Sequence, residues 1–245
     1  RWMLAAGVAM ACLVLAIATH LMWRDPSYAT QLGEQRTVRL DDGSRISLNS
    51  LSRLVVEYSG SQRRVRLEEG EAFFEVTTNP SRPFVVAAGG SEVTAVGTTF
   101  TVRYEPDRLA VVLVEGKVLV STPSHASVGQ AASQVTLLPG ERLILSAQSP
   151  AQVDKPRAGS VAAWRRGEIV LDKTTLAEAV REMNRYDQTR LLIDDDAVGR
   201  LLVGGIFRTG DNLAFARAMA ELHHLRLVRE DGQIRLQRGD ARRVR

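Results

Sequence analysis

TAVGTTFTVRYEPDRLAVVLVEGKVLV, residues 94–120, is the stretch whose reading decides the fold. Phe100, Val102 and Tyr104 alternate with Thr99, Thr101 and Arg103, the period of two that puts one set on each face of a strand. Glu105-Pro106-Asp107-Arg108 is a four-residue turn with proline pre-set at its second position. The chain returns through Leu109 to Val114, apolar on both faces, which places that strand in the middle of a packed domain. Glu115-Gly116-Lys117 turns it again into Val118-Leu119-Val120. Gly97-Thr98-Thr99 invites a phosphate-cradle reading, but a Walker loop needs GxxxxGK[ST] and a dinucleotide fingerprint needs GxGxxG opening a helix. Neither pattern is present, and a strand follows where an anion site would need a helix N-terminus. The glycine therefore marks entry into a half-buried strand, with Phe100, Val102 and Tyr104 inward.

The same grammar runs from residue 36 to 147. Val38-Arg39-Leu40, the turn Asp41-Asp42-Gly43-Ser44 and Ile46-Ser47-Leu48 read as a hairpin. Leu54 to Tyr58, Arg64 to Leu67, a turn at Glu68-Glu69-Gly70, and Ala72 to Val76 continue as short strands. Asn79 to Pro83 punctuates before Phe84-Val85-Val86. Strands this short and turns this regular predict an all-β domain over 25–147, a sandwich, roll or coil of sheet. Glycine followed by a charged residue and an apolar strand recurs at Gly70, Gly116, Gly140 and Gly167 with unequal spacing, so it is shared turn chemistry and not a repeat. Residues 121–134 read as an exposed polar loop, and 148–163, with two prolines and no periodicity, as a linker.

After the linker the period changes. Over 164–245 the order β-α-β-β-α-β-β predicts a small α+β domain. Thr175-x-x-Glu178 is a capping box opening a helix with Leu176, Ala179, Val180 and Met183 on its buried face. Asp211 caps a second helix, on which Leu213, Ala216, Met219, Ala220 and Leu222 share a face. Gly204-Gly205, inside the strand Leu201 to Phe207, signals a bulge or close backbone approach.

Ahead of both domains, residues 1–24 hold the run from Met3 to Met22, free of acidic and basic side chains apart from His20. At about 1.5 Å per residue it is roughly 30 Å long as a helix, the thickness of a bilayer core. Trp2 and Trp23 bracket it at the two interfaces. A secretory signal is the rival, since Ser27-Tyr28-Ala29 loosely matches a small-x-small cleavage site, but the run exceeds the usual signal length. The expectation is a retained single transmembrane helix.

Chemistry is sparse. The only cysteine, Cys12, lies inside the apolar run, so neither an intramolecular disulfide nor a cysteine metal site is available. The net charge is +4, and all 32 basic residues are Arg except Lys117, Lys155 and Lys173. They are scattered among 28 acidic residues, which argues against a nucleic-acid stripe; the basic tail Arg238 to Arg245 reads as a frayed terminus. His125, His223 and His224 have no acid and serine arranged for a triad and no third metal ligand. Asp194-Asp195-Asp196 lacks the spacing of a calcium loop and reads as a turn that ends a strand. No catalytic, cofactor or metal site is expected, and the chain is read as no enzyme.

DDGSRISLNSLSRL (41–54), LEEGEAFFEV (67–76), RPFVV (82–86), VGTTFTV (96–102), VEGKVLV (114–120) and LPGERL (138–143) resemble, in order, the periplasmic domain of FecR-type transmembrane anti-sigma regulators. AWRRGEIVLDKTTLAEAVREMNRY (163–186) and GGIF (204–207) resemble their C-terminal subdomain, which is similar to the short secretin/TonB N-terminal (STN) domain. The resemblance implies an inner-membrane protein of cell-surface signalling, with Arg1 cytoplasmic and residues after about 24 in the periplasm. It implies as partners the signalling domain of a TonB-dependent outer-membrane receptor, commonly one for iron chelates, and an extracytoplasmic-function sigma factor. The sigma factor would be held by an N-terminal domain that residues 1–245 do not contain. Periplasmic and intramembrane proteases would release the cytoplasmic piece. The small residues Ala5, Ala6, Gly7, Ala9, Ala11, Ala16 and Ala18 fit either a helix easily unwound by such a protease or close helix packing.

If the strand Leu201 to Phe207 lies at a sheet edge, Leu202, Gly204, Gly205 and Phe207 are the candidate partner-binding residues, with backbone groups free to pair. The alternative function is a membrane-anchored periplasmic scaffold or ligand-binding module with no sigma partner.

Overall fold

The computed structural model describes residues 26–122, 133–146 and 149–239. The expected span, with Trp2 and Trp23, lies outside them; among the described residues no helix is long and apolar enough to cross a membrane.

The first unit is all β. β1 (Ser27–Ala29), β2 (Arg36–Arg39), β3 (Arg45–Leu48) and β4 (Arg53–Tyr58) precede a long strand, β5 (Arg63–Glu75). β6 (Phe84–Ala88), β7 (Ser91–Ala95), β8 (Thr99–Glu105), β9 (Arg108–Glu115) and β10 (Val118–Ser121) follow, then β11 (Gln134–Leu137), β12 (Arg142–Ser146) and β13 (Ser149–Asp154). They form one 13-stranded sheet that folds over on itself through β5. One half runs β1-β4-β5-β6-β7-β10-β11 and the other β2-β3-β5-β8-β9-β12-β13. A single apolar core fills the space between them, with Phe74 stacked on Phe100 at 5.0 Å and edge-on to Phe84 of the other half at 6.1 Å.

β5 departs from the expected pair of strands separated by a turn at Glu68-Glu69-Gly70. Arg63 to Glu69 pair with β4, Gly70 to Glu75 with β8, and the strand changes halves without leaving the sheet. Gly70 makes this possible: its φ is +87°, and a Cβ there would lie 2.3 Å from Ser52 Oγ and 2.5 Å from Leu51 O. Gly97 has a related role, since a Cβ would lie 2.2 Å from Thr78 Oγ1 and 2.9 Å from its Cα. The glycine of the opening stretch is there because another segment's backbone passes against it.

A buried polar cluster pins the turn between β2 and β3 to β5. Arg63, 1% exposed, donates from Nη1 to Asp42 Oδ2 at 2.6 Å and to Thr77 O at 2.8 Å, and its guanidinium lies over the Phe84 ring. Ser44 Oγ and Tyr58 OH also donate to Asp42. Burial alone would raise the Asp42 carboxyl; the donors from Ser44, Arg63 and Tyr58 together outweigh it and hold the pKa below the ordinary value. The Tyr58 phenol is pushed well up, first by burial and then by the charge of Asp42.

Part of the segment read as a linker is sheet: Ser149–Asp154 is β13, exposed throughout and hydrogen-bonded to β12. Short 3-10 turns at Ala158–Ser160 and Ala163–Arg166 then lead to the second unit. It comprises β14 (Glu168–Thr175), α1 (Leu176–Met183), β15 (Arg190–Ile193), α2 (Asp196–Gly199), β16 (Leu202–Arg208), α3 (Asn212–Leu222), β17 (Leu225–Glu230) and β18 (Gln233–Arg238). β14 and β16 form one sheet, and β15-β18-β17 another. Thr175 and Glu178 make the capping box, and Leu176, Ala179, Val180 and Met183 are buried as the spacing predicts. The single-turn helix α2 lies where a bare turn was expected, because Asp195 caps it by accepting from Ala197 N. In α3 the buried residues are Asn212, Phe215, Ala216 and Met219, while Leu222 is 61% exposed.

Candidate functional site

β16 is an edge strand: among the described residues it pairs with β14 alone. The register sets Leu171 opposite Gly205 and Thr174 opposite Val203, so Asp172 and Lys173 bulge from β14 across from Gly204. Val203 is buried, and Phe207 packs edge-on against Phe215 at 4.9 Å. Leu202 and Ile206 are 61% and 66% exposed, on the face that Gly204 shares. Of the four residues singled out in the sequence, Leu202 and Gly204 thus lie on the outward face, Gly205 is exposed on the other parity, and Phe207 turns into the core. Ile206 was not singled out; its alternation with Leu202 was the available signal.

The second unit is fastened to the first by a polar seam. Glu71, one residue past the bend in β5, accepts from Trp164 Nε1 at 3.1 Å, from Asn49 Nδ2 at 2.9 Å and from Arg185 Nη1 at 3.1 Å. Asn49 Nδ2 also donates to Tyr186 OH at 2.7 Å, and Ser50 Oγ donates to Arg185 O. Glu182 pairs with Arg185 at 3.0 Å and with Arg103 at 2.6 Å, and Arg103 is held from the other side by Glu105. Burial would raise the Glu182 carboxyl, but Arg185 and Arg103 overcome it and hold its pKa below the ordinary value. Burial works against the charge on Arg103 too, and the carboxylates of Glu182, Glu71 and Glu105 more than compensate, raising its pKa. Phe73 of β5 belongs to the second core, under the guanidinium of Arg165 at 4.1 Å.

This seam explains an unexpected burial. Thr99, Thr101 and Arg103 were expected on the open face of a half-buried strand, yet Thr101 is 4% exposed. The outer face of β8 and β9 forms one wall of a cleft of about 510 Å³, and β14 with α1 forms the other. The motif residues Asn49, Ser50, Glu71, Trp164, Arg185 and Tyr186 are thus joint residues between units. Nothing in the one-dimensional pattern signals this, since such residues read individually as turn or surface positions. Among the described residues no group of three or more His, Cys, Asp or Glu is placed to hold a metal ion. His223 caps the end of α3.

Residues 27–119, from β1 into β10, match the family model described as FecR protein. Two crystal structures of a "putative anti-sigma factor" from Parabacteroides distasonis ATCC 8503, at 2.50 Å and 1.65 Å resolution, resemble the chain with a TM-score of 0.75 and 25% identity. The likeness covers 88% of this chain and 99% and 100% of theirs, more than the first unit alone supplies, so it extends into the second unit. No curated protein matches the chain. Over residues 27–119 the first unit is thus similar to the FecR protein family, and its joining to an α+β unit is similar to the architecture of those two structures.

Proposed function

We propose that the chain is the anchored, receiving part of a transmembrane signalling regulator of the anti-sigma type. In this reading the run Met3 to Met22 crosses the bacterial inner membrane, and the two units stand in the periplasm. A domain ahead of Arg1 holds an extracytoplasmic-function sigma factor. The signal arrives from the signalling domain of a TonB-dependent outer-membrane receptor serving iron-chelate uptake, and periplasmic and intramembrane proteolysis passes it on. The FecR domain and the named likeness support the regulatory class.

The observation that carries a receiving role is the free edge of β16 with Leu202 and Ile206 exposed beside it. A strand edge offers backbone hydrogen bonds to an incoming strand, and alternate side chains add selectivity. Gly205 is a poor probe of this edge, because its φ of +145° and a Phe207 ring atom 3.1 Å from a Cβ would strain any larger residue. Ile206→Glu tests it cleanly. The purified chain, captured by an immobilised receptor signalling domain, is expected to lose binding on this substitution while keeping its far-UV circular dichroism and melting temperature. Retained binding would exclude this edge as the docking site.

A further inference from the structure

Resting on that membrane anchorage, we infer that the end of the first unit at which the chain enters is a lipid-contacting face seated on the headgroups of the bilayer. Pro26 O accepts from Val56 N at 2.9 Å and Ser27 pairs with Val55, so the chain joins β1 near the Tyr58 end of β4. Only Trp23, Arg24 and Asp25 separate Met22, the last residue of the apolar run, from Pro26. At about 3.3–3.6 Å per residue this tether reaches roughly 14 Å at most. The headgroup layer itself is about 5–8 Å deep. The entry point at Pro26 can therefore rise no more than about 6–9 Å above the headgroups, which keeps this end of the unit next to the membrane.

The register identifies what else emerges at that end. Arg63 pairs with Phe84, and Arg82 Nε donates to Ser59 O at 2.8 Å, so the turns before β5 and before β6 lie together there. Phe84 pairs with Ala95, Ala95 with Val118 and Val118 with Leu137. Val96, Lys117 and Leu138, each one residue beyond, leave the sheet at the same end. Gly140 N donates to Leu113 O at 2.8 Å, which brings Val114 to this turn. Val96, Val114 and Leu138 are 40%, 42% and 57% exposed, and the second unit is seated elsewhere, on Asn49, Ser50, Glu71, Phe73 and Arg103. From β1 to β10 the end spans five strand spacings, about 24 Å. Exposed aliphatic side chains around a lysine suit the acyl–headgroup boundary, where the apolar groups are buried and the cation meets phosphate. Asp41 and Glu115 also lie at this end, so the contact is chiefly apolar and does not demand an anionic lipid.

The test uses the full chain with Cys12→Ser and one new cysteine, Leu138→Cys, Val96→Cys or, as a remote control on α3, Leu222→Cys. Each is labelled with an environment-sensitive fluorophore and reconstituted into phosphatidylethanolamine/phosphatidylglycerol vesicles containing spin-labelled lipid. The labels at 138 and 96 are expected to shift to the blue and lose intensity through quenching, and the label at 222 to do neither. If the protein floats with the vesicles while positions 138 and 96 behave like 222, the lipid-contacting face is refuted and the anchorage stands. If the protein fails to float with them, the anchorage and the face fall together.

Discussion

The indole Nε1 of Trp164 donates to Oε1 of Glu71 at 3.1 Å, joining the segment that leads into the second unit to the residue that follows the bend in the first. The other oxygen of Glu71 takes Asn49 and Arg185, so one largely buried carboxylate collects donors from both units. Its removal strands the indole N–H and takes one acceptor each from Asn49, which keeps Tyr186, and from Arg185, which keeps Glu182. Glu71→Ala is expected to cost about 3 kcal/mol, the range for breaking one side of a buried pair. It should also separate the unfolding of the two units, so that tryptophan fluorescence and far-UV circular dichroism no longer give coincident urea transitions. Coincident curves with an unchanged midpoint would show that the seam does not depend on Glu71.

Gly70 and Gly60 offer a matched comparison within the same half of the first unit. A Cβ at Gly70 collides with Ser52 and with the Leu51 carbonyl at a left-handed φ, whereas nothing lies within 4 Å of one at Gly60. Gly70→Ala is expected to lower stability by about 3 kcal/mol or more, combining backbone strain with displacement of the chain at Ser52. Gly60→Ala should stay within about 0.5 kcal/mol, as for an open surface position. Chemical denaturation of the two variants settles the comparison.

What was legible in the sequence followed from local rules. The inward face of Phe100, Val102 and Tyr104, the turn at Asp41 to Ser44 and the capping box of Thr175 and Glu178 each rest on neighbours in the chain, and each appears in the structure, although the second unit also covers Thr101 on the opposite face. What escaped depends on partners far along the chain. The turn predicted at Glu68 to Gly70 became a bend because Ser52 packs against Gly70. The strand Ser149–Asp154 carries no apolar alternation, since both its faces are exposed and only pairing with β12 holds it. The candidate edge was reached through Gly204-Gly205, but the parity that turns Phe207 inward and Ile206 outward is set by Phe215, in a helix the strand pattern does not contain.

The Asp42 cluster gives the first unit a defined acid response. Its carboxyl has a folded pKa below the unfolded value near 3.8, so it adds stability at neutral pH that is fully present above about pH 4–5. That stability is lost as pH falls through the folded pKa, when the proton displaces the charge that Arg63, Ser44 and Tyr58 bind. Asp42→Asn is expected to lower the melting temperature at pH 7 and to flatten its decline between about pH 5 and pH 2. A variant whose acid limb parallels the parent would show that other carboxylates govern that decline.

Phe73 and Phe74 are neighbours on β5 that serve different cores. Phe74 is fully buried between the halves of the first unit, in ring contact with Phe84 and Phe100. Phe73 points the other way, into the cluster that contains Leu171, Met183 and Phe215, with Arg165 over its ring. Truncation to alanine removes a comparable side chain at each position, and buried Phe→Ala changes cost about 3–5 kcal/mol. The two losses should appear in different places. Amide hydrogen exchange is expected to accelerate in β4, β6 and β8 for Phe74→Ala, where one cooperative core is opened. For Phe73→Ala it should accelerate in β14 and α1 and leave the centre of the first unit protected. Faster exchange throughout both units in both variants would mean that the chain unfolds as a single cooperative body, with Glu71, Trp164 and Arg185 coupling the two cores more tightly than their polar character implies.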